Sequence, residues 1–247
     1  MFDADCNHPV VQSDIEHNDF SFPYIAPMYT VHHKIVVSNS IGEVSATMDT
    51  ATDAWCTLTL AHGAGADMNH LFMSSLAIQL ASRGINVLRF NFPFTEAKKK
   101  RPDVAPVAEK TIEAAIRFAL SQTPALPLFA AGKSFGGRMS SQYLSRNADV
   151  DVRGLVFFGF PLHAAGAPAV ARAEHLNNIK VPMLFLQGTR DALAQLDLMQ
   201  GVCESLPSAE IQTFEGSDHA FKRGKKSFIP ELTEAAEGWL KRHVQKD

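Results

Sequence analysis

The chain has 247 residues, a formal net charge of −3 and 46% hydrophobic against 20% charged residues. This composition is typical of soluble globular proteins, and the length suits a single α/β domain with a substantial buried core. The slightly acidic balance gives no electrostatic reason to expect nucleic acid as a partner, and the apolar runs are too short or too interrupted by proline to predict a membrane helix.

The cysteines and the N-terminus indicate the cellular compartment of the protein. Cys6, Cys56 and Cys203 are too few, and odd in number, for a disulfide framework, so we expect reduced thiols and a cytoplasmic protein, with the nucleus as the alternative. Residues 1–19 contain acids but neither Lys nor Arg, which does not fit a secretion signal. We expect residues 1–23 to be a weakly ordered leader and residues 24–247 to form one domain.

Apolar periodicity predicts a regular succession of elements. The predicted strands are 34–37, 43–48, 54–61, 85–90, 126–131, 154–160, 181–187 and 209–214. The predicted helices are one from about 68 to 80, one around 112–120, one from 134 to 146, a short one within 168–177, one at 193–206 and one at 227–244. Residues 38–42 form a predicted hairpin turn, residues 95–106 a polar loop, and Asp67 or Asn69 the cap of the first helix.

Strands and helices alternate from Cys56 onward. This alternation predicts an α/β fold with a mostly parallel central sheet and helices on both faces. In such sheets, functional residues collect at the C-terminal ends of the strands.

The sequence Gly132-Lys133-Ser134-Phe135-Gly136 lies between a predicted strand and a predicted helix. A serine at the apex of so sharp a turn is exposed and strained, and glycines two positions away on either side avoid a clash. The pattern therefore predicts a nucleophile elbow with Ser134 as the nucleophile.

Two other interpretations of this stretch exist. A glycine-rich turn with an unreactive surface serine would give the same letters. A phosphate-binding loop would also contain Gly-Lys-Ser, but that motif needs a glycine where Pro127 stands.

A serine hydroxyl needs a histidine base, and the histidine needs a carboxylate to orient it. Asp191 and His219 each follow a predicted strand, in the chain order Ser, Asp, His that this fold requires. Asp197 and Asp218 compete for the carboxylate role. We prefer Asp191 because Asp197 falls inside a helical pattern and Asp218 is adjacent to the histidine.

The oxyanion hole is predicted from two backbone amides. Phe135 follows the nucleophile, and Ala64 lies in His62-Gly63-Ala64-Gly65 at the end of an earlier strand. We expect His62 to support this loop rather than to react.

Five short motifs follow one another along the chain. They are His-Gly-Ala-Gly-Ala-Asp-Met-Asn (62–69), Asn-Phe-Pro-Phe (91–94), Gly-Lys-Ser-Phe-Gly-Gly-Arg (132–138), Gly-Thr-Arg-Asp (188–191) and Gly-Ser-Asp-His-Ala-Phe (216–221). With them, residues 30–245 resemble the α/β-hydrolase superfamily, and more narrowly its dienelactone-hydrolase-like group with the Tex30/KANSL3-type hydrolase-like proteins. The resemblance implies hydrolysis of a carboxylic ester, thioester or related acyl bond, without a cofactor.

The sequence also predicts how open the site is and which partners it has. Only about twenty residues separate Phe160 from Val181, where many α/β hydrolases insert a lid, so we expect a minimal lid, an open site and small or short-acyl substrates. The expected partner is a small-molecule acyl substrate, with no membrane, no nucleic acid and no metal, since neither His-Glu-x-x-His nor paired Cys-x-x-Cys occurs. The rival hypothesis is a catalytically silent α/β-hydrolase-like scaffold that binds a protein.

The basic residues near these motifs have two interpretations each. Lys133 and Arg138 would be solvated or ion-paired, or would attract an anionic acyl group. The run from Lys98 to Arg101 would be a solvated loop, or would dock an acidic partner.

Overall fold

The computed structural model describes residues 28–244, so the predicted leader lies outside the described residues. Eight of its strands form one sheet. They are β1 (Met28–Ser38), β2 (Gly42–Ala51), β3 (Cys56–Ala61), β4 (Ile85–Phe90), β5 (Leu128–Lys133), β6 (Leu155–Phe158), β7 (Met183–Gly188) and β8 (Ala209–Phe214). Two further short strands, β9 (Lys222–Arg223) and β10 (Lys226–Ser227), form a separate hairpin.

The sheet has the strand order β1-β2-β4-β3-β5-β6-β7-β8. The β1–β2 and β2–β4 pairs are antiparallel and all later pairs are parallel. The sheet is therefore mostly parallel, as predicted, and the carboxyl ends of β5, β7 and β8 lie along one edge, where functional side chains collect.

Helices occupy the connections between the parallel strands, and a last helix follows the β9–β10 hairpin. They are α1 (Leu71–Ala81), α2 (Pro93–Glu96), α3 (Ala105–Gln122), α4 (Phe135–Arg146), α5 (Leu196–Ser205), α6 (Ile229–His243) and a 3-10 helix (Ala171–Asn178). Within the part of the chain that is described, no helix has the length and apolarity needed to cross a membrane.

Two apolar cores lie on the two faces of the sheet. One joins the strands to α3, α4 and α5 and includes Phe157 and Phe185, whose ring centroids are 4.4 Å apart. The other joins them to α1 and α6 and includes Trp239 packed against Phe129. Because both faces are covered, β3, β4, β6 and β7 are buried along their whole length, which explains their nearly continuous apolar sequences.

Two local predictions were wrong. The predicted cap of the first helix is replaced by His70, whose Nδ1 accepts a hydrogen bond from the Phe72 amide at 3.3 Å. Asp67 instead accepts from the Asn69 amide at 2.8 Å and closes the turn before the helix. The predicted loop at 95–106 contains the end of the short helix α2 and the start of α3, because Pro93 and Pro106 each stand in the first turn of a helix, where proline is tolerated.

A buried ion pair links the antiparallel hairpin to the rest of the sheet. The Arg89 Nε on β4 donates to the Asp49 carboxylate on β2 at 2.8 Å, and both side chains are almost completely buried. Arg89 also donates from Nη1 to the carbonyl of Met68 at 2.6 Å. The β1–β2 hairpin thus contributes the counter-charge for a guanidinium that supports the segment before α1.

Candidate active site

Ser134 lies at a strained turn between β5 and α4. Its backbone has φ +51° and ψ −115°, which is rare for a residue with a side chain. A Cβ on Gly132 would lie 2.3 Å from the Gly137 nitrogen, and one on Gly136 would lie 2.4 Å from the Ala61 carbonyl oxygen. The strand, turn and helix predicted from the sequence are present, and only glycine fits two positions before and two positions after Ser134.

The phosphate-loop interpretation does not match this geometry. Lys133 is the last residue of β5, and Ser134 directly precedes α4. There is no glycine-rich loop between the strand and Gly-Lys-Ser in which backbone amides would surround a phosphate.

The three residues predicted as a triad form one hydrogen-bonded chain. The His219 Nε2 lies 2.9 Å from the Ser134 Oγ, and its Nδ1 lies 2.7 Å from the Asp191 Oδ2. A serine hydroxyl bonded to an imidazole, which is bonded to a buried carboxylate, is the arrangement that transfers the serine proton to the histidine.

The Asp191 carboxylate is held rigidly in the interior. Its side chain has no exposed surface. Gln187 Nε2 donates to Oδ2 at 2.5 Å, and the Leu193 amide donates to Oδ1 at 2.8 Å. The Gln187 Oε1 in turn accepts from the Phe160 amide at 3.1 Å, which joins the ends of β6 and β7.

Sequence reasoning missed Gln187. The only signal for it is a polar residue at the end of an otherwise apolar strand.

The competing carboxylates lie elsewhere. Asp197 is exposed in the first turn of α5 and contacts Gln195. Asp218 accepts from the amides of Ala220 and Lys222 within its own loop. Of the three candidate carboxylates, Asp191 is the one that is hydrogen-bonded to the His219 imidazole.

His62 is completely buried below the loop that follows β3. Its Nδ1 lies 2.8 Å from the Gly63 carbonyl, and its Nε2 accepts from the Phe92 amide at 3.1 Å. This pairing fixes a neutral ring with the proton on Nδ1, and burial lowers the pKa of the imidazole. The ring thus fixes the loop and does not face Ser134.

The two predicted oxyanion donors belong to segments that adjoin Ser134. Phe135 is the first residue of α4, and amides of a first helical turn have no acceptor inside their helix. Ala64 follows Gly63, on which a Cβ would lie 3.7 Å from the Ser134 Cβ. Ala64 and Ser134 also line the same cleft.

Lys133 has an unexpected environment. Its Nζ donates to the carbonyl of His219 at 2.6 Å and lies 5.2 Å from the centre of the Phe221 ring and 5.8 Å from that of Phe72. Desolvation lowers the pKa of the ammonium to about 8, although Asp191 and Asp218 oppose the shift. The Lys133 ammonium thus contacts a carbonyl and two aromatic rings rather than a carboxylate, so its ion-paired interpretation was wrong, and its attraction of an anionic acyl group stays a prediction.

Gly159 leaves room for this ammonium. A Cβ there would lie 3.1 Å from the Lys133 Nζ and 3.5 Å from the His219 ring. Lys133 thus couples β5 directly to the loop that carries His219.

A cleft of about 990 Å³ opens above Ser134 and His219. One wall is the loop after β3 together with α1, and the other is the His219 loop, the β9–β10 hairpin and the start of α6. Arg138 and the run from Lys98 to Arg101 do not line it. Among residues 28–244, no group of three or more His, Cys, Asp or Glu side chains could hold a metal ion.

Known structures share this fold at low sequence identity. A dienelactone hydrolase from Anabaena variabilis superposes with a TM-score of 0.72 at 15% identity, over 88% of this chain and 99% of that one. XC6422 from Xanthomonas campestris, described as an α/β serine hydrolase without lid, gives 0.69 at 19% identity over 90% and 99%. The Pyrococcus furiosus esterase Pf2001 gives 0.70 at 18% identity over 88% and 94%.

A family model described as an alpha/beta hydrolase domain matches residues 54–238, three-quarters of the chain. The narrower Tex30/KANSL3-type assignment stays a prediction. The matched region includes β3 to β8, Ser134, Asp191 and His219. The chain therefore belongs to the α/β-hydrolase family.

Proposed function

We propose that this protein is a serine hydrolase that cleaves a carboxylic ester or thioester through an acyl-enzyme intermediate. The observation that carries the proposal is the hydrogen-bonded chain from the Ser134 Oγ through His219 to the buried Asp191 carboxylate. Family membership and the likeness to the Pyrococcus furiosus esterase Pf2001 support the same reaction class.

In the proposed reaction, Ser134 Oγ attacks the acyl carbon while His219 Nε2 takes the hydroxyl proton. The amides of Phe135 and Ala64 stabilise the resulting oxyanion. The bond to the leaving group breaks, and His219 returns the proton to the departing alcohol or thiol. Water then attacks the acyl-enzyme with the same proton transfers, which releases the acid and restores Ser134.

The surroundings of the histidine fit its proposed role as a base. Asp191 stabilises the imidazolium that forms, and its contacts to Gln187 and the Leu193 amide hold it in place. Lys133 holds the backbone of His219 through its carbonyl. The imidazole is therefore oriented from both its ring and its main chain.

The first test is the hydrolysis of p-nitrophenyl acetate, butyrate and octanoate by the wild type and by Ser134→Ala. We expect activity in the wild type that falls with chain length, and loss of that activity in the variant. Labelling by a fluorophosphonate probe should occur at Ser134 and disappear in Ser134→Ala. A folded wild type that neither hydrolyses these esters nor takes the label would favour the silent, protein-binding scaffold.

A further inference from the structure

The cleft beside Ser134 contains basic side chains but no acidic ones. Its ionisable lining residues are His70, Lys133, His219, Lys222 and Lys225. Among the described residues that line it, none carries a carboxylate, although acidic residues outnumber Lys and Arg by 26 to 23 in the whole chain. The lining thus carries only basic ionisable side chains in a protein whose net charge is negative, while Asp191 and Asp218 are near enough to act on Lys133 without lining the cleft.

Two of these lysines belong to the β9–β10 hairpin, which has two different faces. Arg223 and Lys226 pair across the hairpin, and both lie over the Phe228 ring. Lys226 also forms an ion pair with Glu231 at 2.7 Å, and Arg223 donates to the carbonyl of Glu215 at 3.3 Å. The charged groups on this face therefore make their contacts within the protein.

The other face of the hairpin is turned to the cleft. Lys222 pairs with Ser227 across the hairpin, and both line the cleft together with Lys225 from the turn. In the chain from residue 28 to 244, no carboxylate lies within ion-pair distance of Lys222 or Lys225. Asp218, four residues before Lys222, accepts from the backbone amides of Ala220 and Lys222 and does not line the cleft. Glu231, six residues after Lys225, is paired with Lys226.

We infer that the substrate is an ester or thioester with a carboxylate group that binds Lys222 and Lys225 while its acyl carbon lies at Ser134. The inference rests on the proposed function, because it treats this cleft as the substrate site. Leu71, Phe72 and Ile229 provide an apolar surface in the same cleft for the carbon chain between the two ends. The positive rim would also steer such a substrate to the cleft.

The test compares two esters whose acyl chains end in a carboxylate in one and in a methyl group in the other. Mono-p-nitrophenyl adipate and p-nitrophenyl hexanoate have acyl chains of equal carbon number, and the spontaneous hydrolysis of each is subtracted. We expect the wild type to prefer the adipate, and Lys222→Gln/Lys225→Gln to reduce kcat/KM for the adipate about tenfold while leaving the hexanoate nearly unchanged. The preference should shrink between about 0.05 M and about 0.5 M NaCl, because exposed charges are screened.

The matched control is Lys99→Gln/Lys100→Gln, which removes the same charge from exposed positions that do not line the cleft. A second pair, 4-acetoxybenzoate and its methyl ester, places the anion on the leaving group. A lysine-dependent preference for the anion in either pair supports the inference and assigns the anion to the acyl or the alcohol side. Equal rates for both members of both pairs, or the same loss in the control variant, would overturn it.

A binding measurement separates this inference from the proposed function. Adipic acid monoanilide and hexananilide are amide analogues of the two acyl groups, and their affinities for the wild type can be compared by calorimetry. If no ester is hydrolysed, the proposed function fails, yet a lysine-dependent preference for the anionic anilide would still support an anion site. If the esters are hydrolysed but neither the rates nor the affinities depend on charge, the result supports the serine hydrolase and contradicts the anion site.

Discussion

Replacing Lys133 by methionine should make the protein more stable and less active. The substitution keeps an unbranched side chain between Phe72 and Phe221 but removes the ammonium. Burial lowers the pKa of this ammonium from 10.5 to about 8. At about 1.4 kcal/mol per pH unit, the charged form therefore costs at most about 3 kcal/mol of folding free energy, the upper limit because part of the side chain still meets solvent.

The sign of this effect depends on pH. Between pH 8 and 10.5 the unfolded chain binds a proton at Lys133 that the folded chain has lost, so the stability of the wild type rises with pH in this window. The advantage of Lys133→Met should be largest below pH 8 and should disappear near pH 10.5. Urea unfolding at pH 7 and at about pH 10 measures it, and 3 kcal/mol corresponds to roughly 6–12 °C in Tm for a domain of this size.

The same variant should lose esterase activity. The carbonyl of His219 would lose its donor at 2.6 Å, so the imidazole would be less precisely placed against Ser134, and we expect kcat/KM to fall about 10- to 100-fold. Lys99→Met, at an exposed position, should change neither quantity. A Lys133→Met protein that is less stable than the wild type at pH 7, or whose gain does not decline with pH, would refute the reasoning.

Three further substitutions test other parts of the structure. Asp191→Asn should lower kcat by roughly 10⁴-fold with little change in Tm, because the asparagine would not hold the His219 ring in the tautomer with its proton on Nδ1. Near-normal turnover would exclude the proposed triad. Gly136→Ala should give misfolded or weakly stable protein in a urea titration, because the new Cβ would lie 2.4 Å from the Ala61 carbonyl oxygen, and wild-type stability would contradict this crowding. Asp49→Ala should lower the free energy of unfolding by about 3–5 kcal/mol by leaving the Arg89 charge uncompensated, whereas a change below about 1 kcal/mol would show that water reaches the guanidinium.

The sequence predicted the sheet well because its signals are local. The parallel strands are short apolar runs bounded by turns, and the elbow is specified by two glycines that a Cβ would disrupt. The order of Ser134, Asp191 and His219 could also be predicted, because each follows a strand and the carboxyl ends of parallel strands meet at one edge.

The features of the site that the sequence did not predict depend on contacts between distant parts of the chain. Lys133 and the His219 carbonyl are 86 positions apart, and Gln187 contacts the Phe160 amide across 27. No periodicity or capping pattern encodes these contacts, since they arise only when β5, β6 and β7 lie side by side. The cap of α1 by His70 was missed because histidine is not among the usual capping residues.

The β1–β2 hairpin lies outside the part of the sequence that the family model matches, yet it supports that part. The match begins at residue 54, after β2. Yet Asp49 on β2 provides the counter-charge for Arg89, which in turn holds the carbonyl of Met68 close to the loop that carries Ala64. A chain that began at residue 54 would keep every proposed catalytic group and would lose the support of its oxyanion loop, so the functional unit is larger than the region of sequence likeness.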